Sequence, residues 1–373
     1  MPRRLLFVLA AITVASFSNK TARAQDEVRF LNGKKQEERL QVTIKEESPA
    51  GIVYKLSSGR TEKLAARDII DIVYQVPQGL RLDYRGLGGK EREADQVGTK
   101  ADKRLKLLQE AQKQYQELIP KLGDAKFAQR HAQFKGAILL ARLAEDDPTL
   151  REAAAEALTK FKADHADGWQ LLACAKQLAA LKERMGDTAA VKKLYEELAA
   201  KPELDKETRQ EFGLLEARML LRTNQAADAK TKLQQLGKDL PAQDSRSVRL
   251  QVYLAACDAS AGVSKETEKQ LTSIISGGSD NDVKALACNT LADAQLKDGK
   301  LEEAFWLYLY VDVLYPQDRE EHAKALYHLA KLFEQVKKDP TRAQQCLERL
   351  ATDKEFLGLD LQKTAQKEKK PAP

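Results

Sequence analysis

A small residue returns along the latter part of this chain at an almost constant interval. Ala141, Ala179, Ala217, Ala255, Ala292 and Ala330 follow one another at spacings of 38, 38, 38, 37 and 38 residues. Leu140, Leu178, Leu254, Leu291 and Leu329 stand immediately before their alanines, and Gly186, Gly262 and Gly299 follow theirs by seven residues. Twelve residues after Ala217 and Ala292 come Ala229 and Ala304, and twelve further on come Pro241 and Pro316. Two helices packed as an antiparallel hairpin need a small residue on each where their axes come closest, and proline cannot continue the second helix. From Lys103 onward the apolar period is 3.6, in segments closed by short turns. Repetition of such units predicts a stack in which each hairpin buries its apolar face against its neighbours.

Around these anchors Leu198, Leu236, Ile274, Val311 and Leu350 fall on the inward face of each second helix, and Tyr308 adds an aromatic. The pattern resembles the tetratricopeptide (TPR) repeat, with its small residue, turn glycine, second alanine, aromatic and closing proline. The resemblance spans residues 102–355 and implies a mainly α chain, a TPR-like α-solenoid of about six helix hairpins. There are departures: a period about four residues longer than usual, Thr267 where the fourth repeat needs its second alanine, Ser279 in place of its proline, and one extra residue before Ala343. The first repeat offers only Leu140-Ala141 and Ala153. A further helix from Ala101 to about Ile119 is expected to cap the stack.

The family binds partners in a concave groove lined by the first helix of each repeat. Carried over by register, the lining positions include Lys135, Arg142, Lys176, Arg218, Arg222, Arg249, Asn289, Lys324, Tyr327 and Lys331. Asn289, Lys324, Tyr327, Lys331, Arg218, Arg222 and Arg249 are the partner-binding candidates. The family's carboxylate clamp is not reproduced, because Asn289, Lys324 and Lys331 stand in the wrong arrangement for it. The aromatic run Phe305-Trp306-Tyr308-Tyr310 has helical spacing, so Phe305, Tyr308 and Tyr310 are expected to pack inside, with Trp306 partly exposed.

Ahead of the helices, residues 25–78 have a period of two. Leu40, Val42 and Ile44 alternate with Gln41, Thr43 and Lys45, and Ile52, Tyr54 and Leu56 alternate with Val53 and Lys55. Turn residues at Asn32-Gly33, Ser48–Gly51 and Ser57–Gly59 separate five short strands. Their pattern resembles small SH3-like or Sm-like barrels, and five strands can close on themselves. Residues 79–101, with "GLGGKERE", read as a linker. A phosphate-binding loop is excluded there: Tyr84 occupies the place of the first required glycine, and Glu91 follows the lysine.

Residues 1–24 carry a basic start, an uncharged run from Leu5 to Phe17, and Ala22-Arg23-Ala24 before Gln25. These are the three parts of a cleavable secretory signal, and the run is too short to span a bilayer. The formal charge of +6 then falls by the leader's four cations to +2, too little for a nucleic-acid footprint. No later stretch is apolar enough to anchor the mature chain, which is expected to be periplasmic or secreted. Cys174, Cys257, Cys288 and Cys346 lack C-x-x-C spacing and sit in helical patterns, which favours buried free thiols over disulfides. Residues 356–373 read as a largely disordered tail.

No metal-ligand spacing joins the four histidines, no G-x-S-x-G elbow occurs, and no cofactor motif is present. The sequence therefore points to a non-catalytic scaffold of the bacterial envelope, binding other exported proteins through a TPR-like groove. The alternative is a cell-wall or polysaccharide-associated module with the helices as spacer; exposed aromatics on the β module would favour it.

Overall fold

The computed structural model describes residues 25–34, 36–241, 244–259 and 262–368. The secretory leader read over residues 1–24 lies outside them. Five strands come first: β1 (Asp26–Leu31), β2 (Glu37–Ser48), β3 (Gly51–Lys55), β4 (Thr61–Ala65) and β5 (Ile69–Val73). They form one antiparallel sheet in the order β4-β3-β2-β1-β5. The long β2 pairs β1 with its first half and β3 with its second, and a register shift between Ile44 and Glu46 bends it there. Alternation places Val42 and Ile44 inside and leaves Gln41, Thr43 and Lys45 exposed. Gly51 permits the close approach of β4: at φ 144°, a Cβ there would lie 1.9 Å from the Leu64 carbonyl oxygen. The expected barrel closure does not occur. β4 and β5 are the two edges and do not pair with each other, so the sheet is open.

The linker expected over 79–101 is replaced by a helix, α1 (Arg81–Ala94). Three glycines hide it from propensity, at about 1 kcal/mol each relative to alanine, but Tyr84, Leu87, Glu91 and Ala94 form a buried stripe at helical spacing. Tyr84 and Leu87 join Val42, Ile52 and Ile72 of the sheet in one apolar core. Leu108 and Tyr115 of α2 (Ala101–Leu118) and Leu139 of α3 (Lys126–Asp146) belong to the same core. The sheet thus has no apolar core separate from that of the first helices.

A polar seam runs through this core. The Asp71 carboxylate on β5 accepts from His131 Nε2 at 2.9 Å, and His131 Nδ1 lies 2.7 Å from the Tyr84 hydroxyl. Lys135 bridges Asp71 at 3.3 Å and Glu91 at 3.0 Å, and Tyr115 donates to Glu91 at 2.9 Å. Buried charge is tolerated only when so paired. Burial raises the Asp71 pKa, but Lys135 and His131 outweigh it and hold the carboxyl well below its usual range.

Twelve helices from α3 onward pair in sequence. α4 (Arg151–Asp164) follows α3; α5 (Leu171–Arg184) pairs α6 (Thr188–Ala200), and α7 (Lys206–Arg222) pairs α8 (Ala226–Asp239). α9 (Ser245–Ala259) pairs α10 (Lys265–Ser276), α11 (Asn281–Lys297) pairs α12 (Leu301–Leu314), and α13 (Arg319–Gln335) pairs α14 (Pro340–Thr352). The first helices of successive hairpins touch one another: α3 and α5, α7 and α9, α9 and α11, α11 and α13. All six alanines of the repeat are buried, as are Ala229 and Ala304. The residue closing the hairpin is left-handed at Gly186, Gly262 and Gly299, with φ of 79°, 93° and 75°. Asn224 (φ 58°) holds the same place in the third hairpin, and Lys338 (φ 53°) holds it in the sixth after its extra residue.

Four expectations change in detail. Ala153 is exposed, and Ala154 and Ala155 fill the crossing instead. Tyr310, expected inside, is 45% exposed, because it lies with Trp306 on the outer face of α12; Phe305 and Tyr308 are buried. Leu236 and Ile274 are only half-buried. The supposed tail folds back: a 3-10 turn (Lys354–Phe356) leads into α15 (Asp360–Glu368), with Phe356, Leu359 and Ala365 buried against α13 and α14. Residues 369–373 lie outside the described part. All four cysteines are free and buried. Among the described residues, no helix is long and apolar enough to cross a membrane.

The helical state of 81–94 is testable at Gly86, which is exposed and has nothing within 4 Å of an added Cβ. Gly86→Ala should raise stability in denaturant titration by about 0.5–1 kcal/mol. No gain, or a loss, would contradict the helix.

Candidate binding site

All ten groove positions read from the sequence find partners within the chain. Arg218 lies 2.5 Å from Asp318 Oδ2 and 3.3 Å from Glu320 Oε2. Arg222 holds Glu183 at 2.7 Å and also pairs with Glu320. Arg249 grips Glu211 with two nitrogens, at 3.1 and 2.5 Å, and Lys176 reaches the same carboxylate at 3.1 Å. The Asn289 amide donates to the Glu321 carbonyl at 2.9 Å and to its carboxylate at 2.7 Å. Lys324 pairs with Asp293. Tyr327 donates to Glu368 at 3.0 Å, and Lys331 sits 4.0 Å over the Tyr327 ring. Lys135 is taken by the seam under the sheet, and Arg142 pairs with Asp95.

These contacts tie distant parts of the chain together. The start of α13 (Asp318 to Glu321) lies against the end of α7 and Glu183 of α5. Behind it, Arg319 donates to the Leu357 carbonyl at 2.9 Å. The chain then passes so close to α5 that a Cβ on Gly358 would sit 2.6 Å from the Glu183 carbonyl oxygen. The sixth hairpin therefore meets the second and third, and Arg218, Arg222, Asp318 and Glu320 form a clasp across the inner side of the array.

Electrostatics divides the acids of this inner side. Burial raises the Asp318 carboxyl, but Arg218 and the backbone N–H groups of Glu321 and Glu320 outweigh it and hold it below its usual range. Burial pushes the Glu320 carboxyl up to about 7; Arg218 and Arg222 oppose that rise, while Glu183 and Asp318 add to it. Burial also works against Glu211, yet Arg249 and Lys176 bring its carboxyl down to about 2.

One side of the array stays open. A cleft of about 780 Å³ separates the sheet from the starts of α5, α7 and α9. Its sheet wall is the end of β2, the β2–β3 turn, the start of β3 and the end of β4; its helical wall includes Leu172, Lys176, Glu207, Glu211, Arg246 and Arg249. Lys176 and Arg249 are the groove candidates that line it, meeting at Glu211. Arg67 spans the cleft to Glu207 at 3.1 Å, and Arg246 donates to the Glu207 carbonyl at 2.8 Å. The sequence named neither of these arginines, since their roles depend on how the sheet sits on the helices. The two tyrosines of the β region, Tyr54 and Tyr74, are 6% and 4% exposed.

The folded Glu320 carboxyl has a pKa above its ordinary 4.5, so its contribution to stability is complete below about 4.5 and lost as pH rises through about 7. Glu320→Gln imitates the protonated form. Its melting temperature should match that of the native chain near pH 4.5 and exceed it at pH 8. A variant less stable than the native chain at pH 8 would contradict this account of the clasp.

No protein-family model matches this chain, and no curated protein matches it.

Proposed function

We propose that the chain is a non-catalytic interaction scaffold: a TPR-like solenoid of six hairpins carrying an SH3-like module, exported to the bacterial envelope to hold other exported proteins. The observation that carries the repeat reading is the hairpin turn. Left-handed residues at Gly186, Asn224, Gly262 and Gly299 stand seven residues after a buried alanine of the series, and Lys338 stands eight after Ala330, in five successive hairpins. The order of the strands, with a 3-10 turn at Ala66–Asp68 before the last, supports the SH3-like reading. Solenoids present extended inner surfaces to partners. Here much of that surface is engaged by the clasp, so binding belongs to the open cleft beside the sheet, where Lys176 and Arg249 remain at the wall.

The test is affinity capture from envelope extracts with immobilised residues 25–373. A defined set of exported proteins should be retained, and Lys176→Glu should reduce their recovery. Retention of sedimented wall material alone would favour the polysaccharide-associated module, and retention of nothing specific would overturn the scaffold.

A further inference from the structure

The sixth hairpin meets the second and third without an apolar core to join them. The buried apolar residues of α11 to α15 form one cluster, and it shares no residue with the clusters that run from α3 to α7 and from α7 to α9. α13 packs along α11, α12, α14 and α15, and neither α5 nor α7 packs along it. Long charged side chains at the helix ends make the junction instead. Arg218 reaches Asp318 at 2.5 Å and Glu320 at 3.3 Å, while Arg222 takes Glu320 and, at 2.7 Å, Glu183.

Charge does not balance there. Glu183 comes from α5, and Asp318, Glu320 and Glu321 come from the start of α13; Arg218 and Arg222 face them from α7. Arg184 is engaged with Glu145 at 3.7 Å and Lys324 with Asp293, which leaves Arg319 as the third cation. Tyr195 of α6 and Tyr253 of α9 stand beside the same charges, and burial keeps both hydroxyls neutral. Four carboxylates thus share three guanidiniums. Asp318 is placed to stay ionised, because the Glu320 and Glu321 N–H groups donate to it at 3.1 and 3.3 Å. Burial raises the carboxyls of Glu320 and Glu321, so the closed junction holds a proton that the same acids release in water. The closure is also imperfect: Arg319 Nε and Nη1 are buried with no acceptor among the described residues, and opening returns them to water.

We propose that this junction is a pH-operated latch, which closes the array in mild acid and opens between α7 and α13 as pH rises, with the hairpins themselves staying folded. Each hairpin keeps its own alanine crossing and its contact with the next, so only the charged meeting is lost. The proton held on closing sets the direction, and for one proton the closing equilibrium falls by up to about tenfold per pH unit once the closed-state carboxyl ionises. Opening turns Arg218 and Arg222 to solvent and uncovers the inner side of the array. The latch is independent of what occupies the cleft beside the sheet.

Phenylglyoxal reads the latch directly, because it modifies arginines that water reaches. Residues 25–373 are labelled near pH 8.5, and modification of Arg218 and Arg222 is followed by peptide mass spectrometry. Glu320→Gln, which imitates the protonated acid, should be labelled at these two arginines about tenfold more slowly than the native chain, while Arg39, 61% exposed at its side chain, is labelled equally in both. In small-angle scattering, the native chain should show a larger radius of gyration near pH 8.5 than near pH 5.5, with unchanged far-ultraviolet circular dichroism. Glu320→Gln should keep the smaller radius at both. Equal labelling of Arg218 and Arg222 in the two chains, a native radius that does not change with pH, or an expansion accompanied by loss of helical signal would each overturn the latch.

Discussion

Arg218 and Arg222, on the last turns of α7, hold Asp318 and Glu320 at the start of α13, a hundred residues further along the chain. The arrangement of the helices around this contact depends on it. A row of hairpins joined only to their neighbours could bend by any amount that its loops allow. Here the array bends until its sixth hairpin meets its third and second, and the contact that marks the meeting is made of charges. Those charges are only 12–27% exposed at their side chains, so each needs its partner. Removing Arg218 or Asp318 leaves the other in a poorly solvated place, and this costs more than the pair contributes, whereas at Glu320 burial already opposes the charge.

The clasp also reassigns the inner side of the array. Positions that a repeat protein would offer to a ligand are satisfied from within: Asn289 by Glu321, Lys324 by Asp293, Arg222 by Glu183. Satisfied donors have little to gain from a partner, because exchanging one hydrogen bond for another is close to neutral. What remains open is the cleft between the sheet and the starts of α5, α7 and α9. The seam of Asp71, His131, Lys135 and Glu91 fixes the sheet on the first helices, and with it one wall of that cleft. The position of the open cleft thus follows from buried polar networks rather than from the repeat alone.

How much of this was legible in the sequence varies with the physics involved. The buried alanine series is steric: only a small residue fits a close crossing, so its spacing survives in the letters. The strands were readable for a similar reason, since Val42 and Ile44 alternate with residues that stay in water. Turn closure was half legible. Glycine announces a left-handed residue at Gly186, whereas Asn224 and Lys338 adopt the same conformation without announcing it. α1 was hidden by Gly86, Gly88 and Gly89, and only the spacing of Tyr84, Leu87 and Ala94 betrays it. α15 was hidden by its charge, although Phe356 and Leu359 already marked a buried return. The pairing of the groove was not legible at all. Register says which face of a helix a residue occupies, but the acids that meet Arg218 and Arg222 come from a hairpin three repeats away.

The central claim is that the inner side of the array is closed by its own ion pairs, and a double-mutant cycle between Arg218 and Asp318 tests it most directly. Denaturant unfolding of Arg218→Ala, Asp318→Ala and the double variant should give a coupling energy within the order of 0.5–3 kcal/mol found for residues in contact, with the double variant less damaged than the two single losses predict together. Strictly additive losses would mean that the two side chains do not meet in solution, and would contradict the clasp.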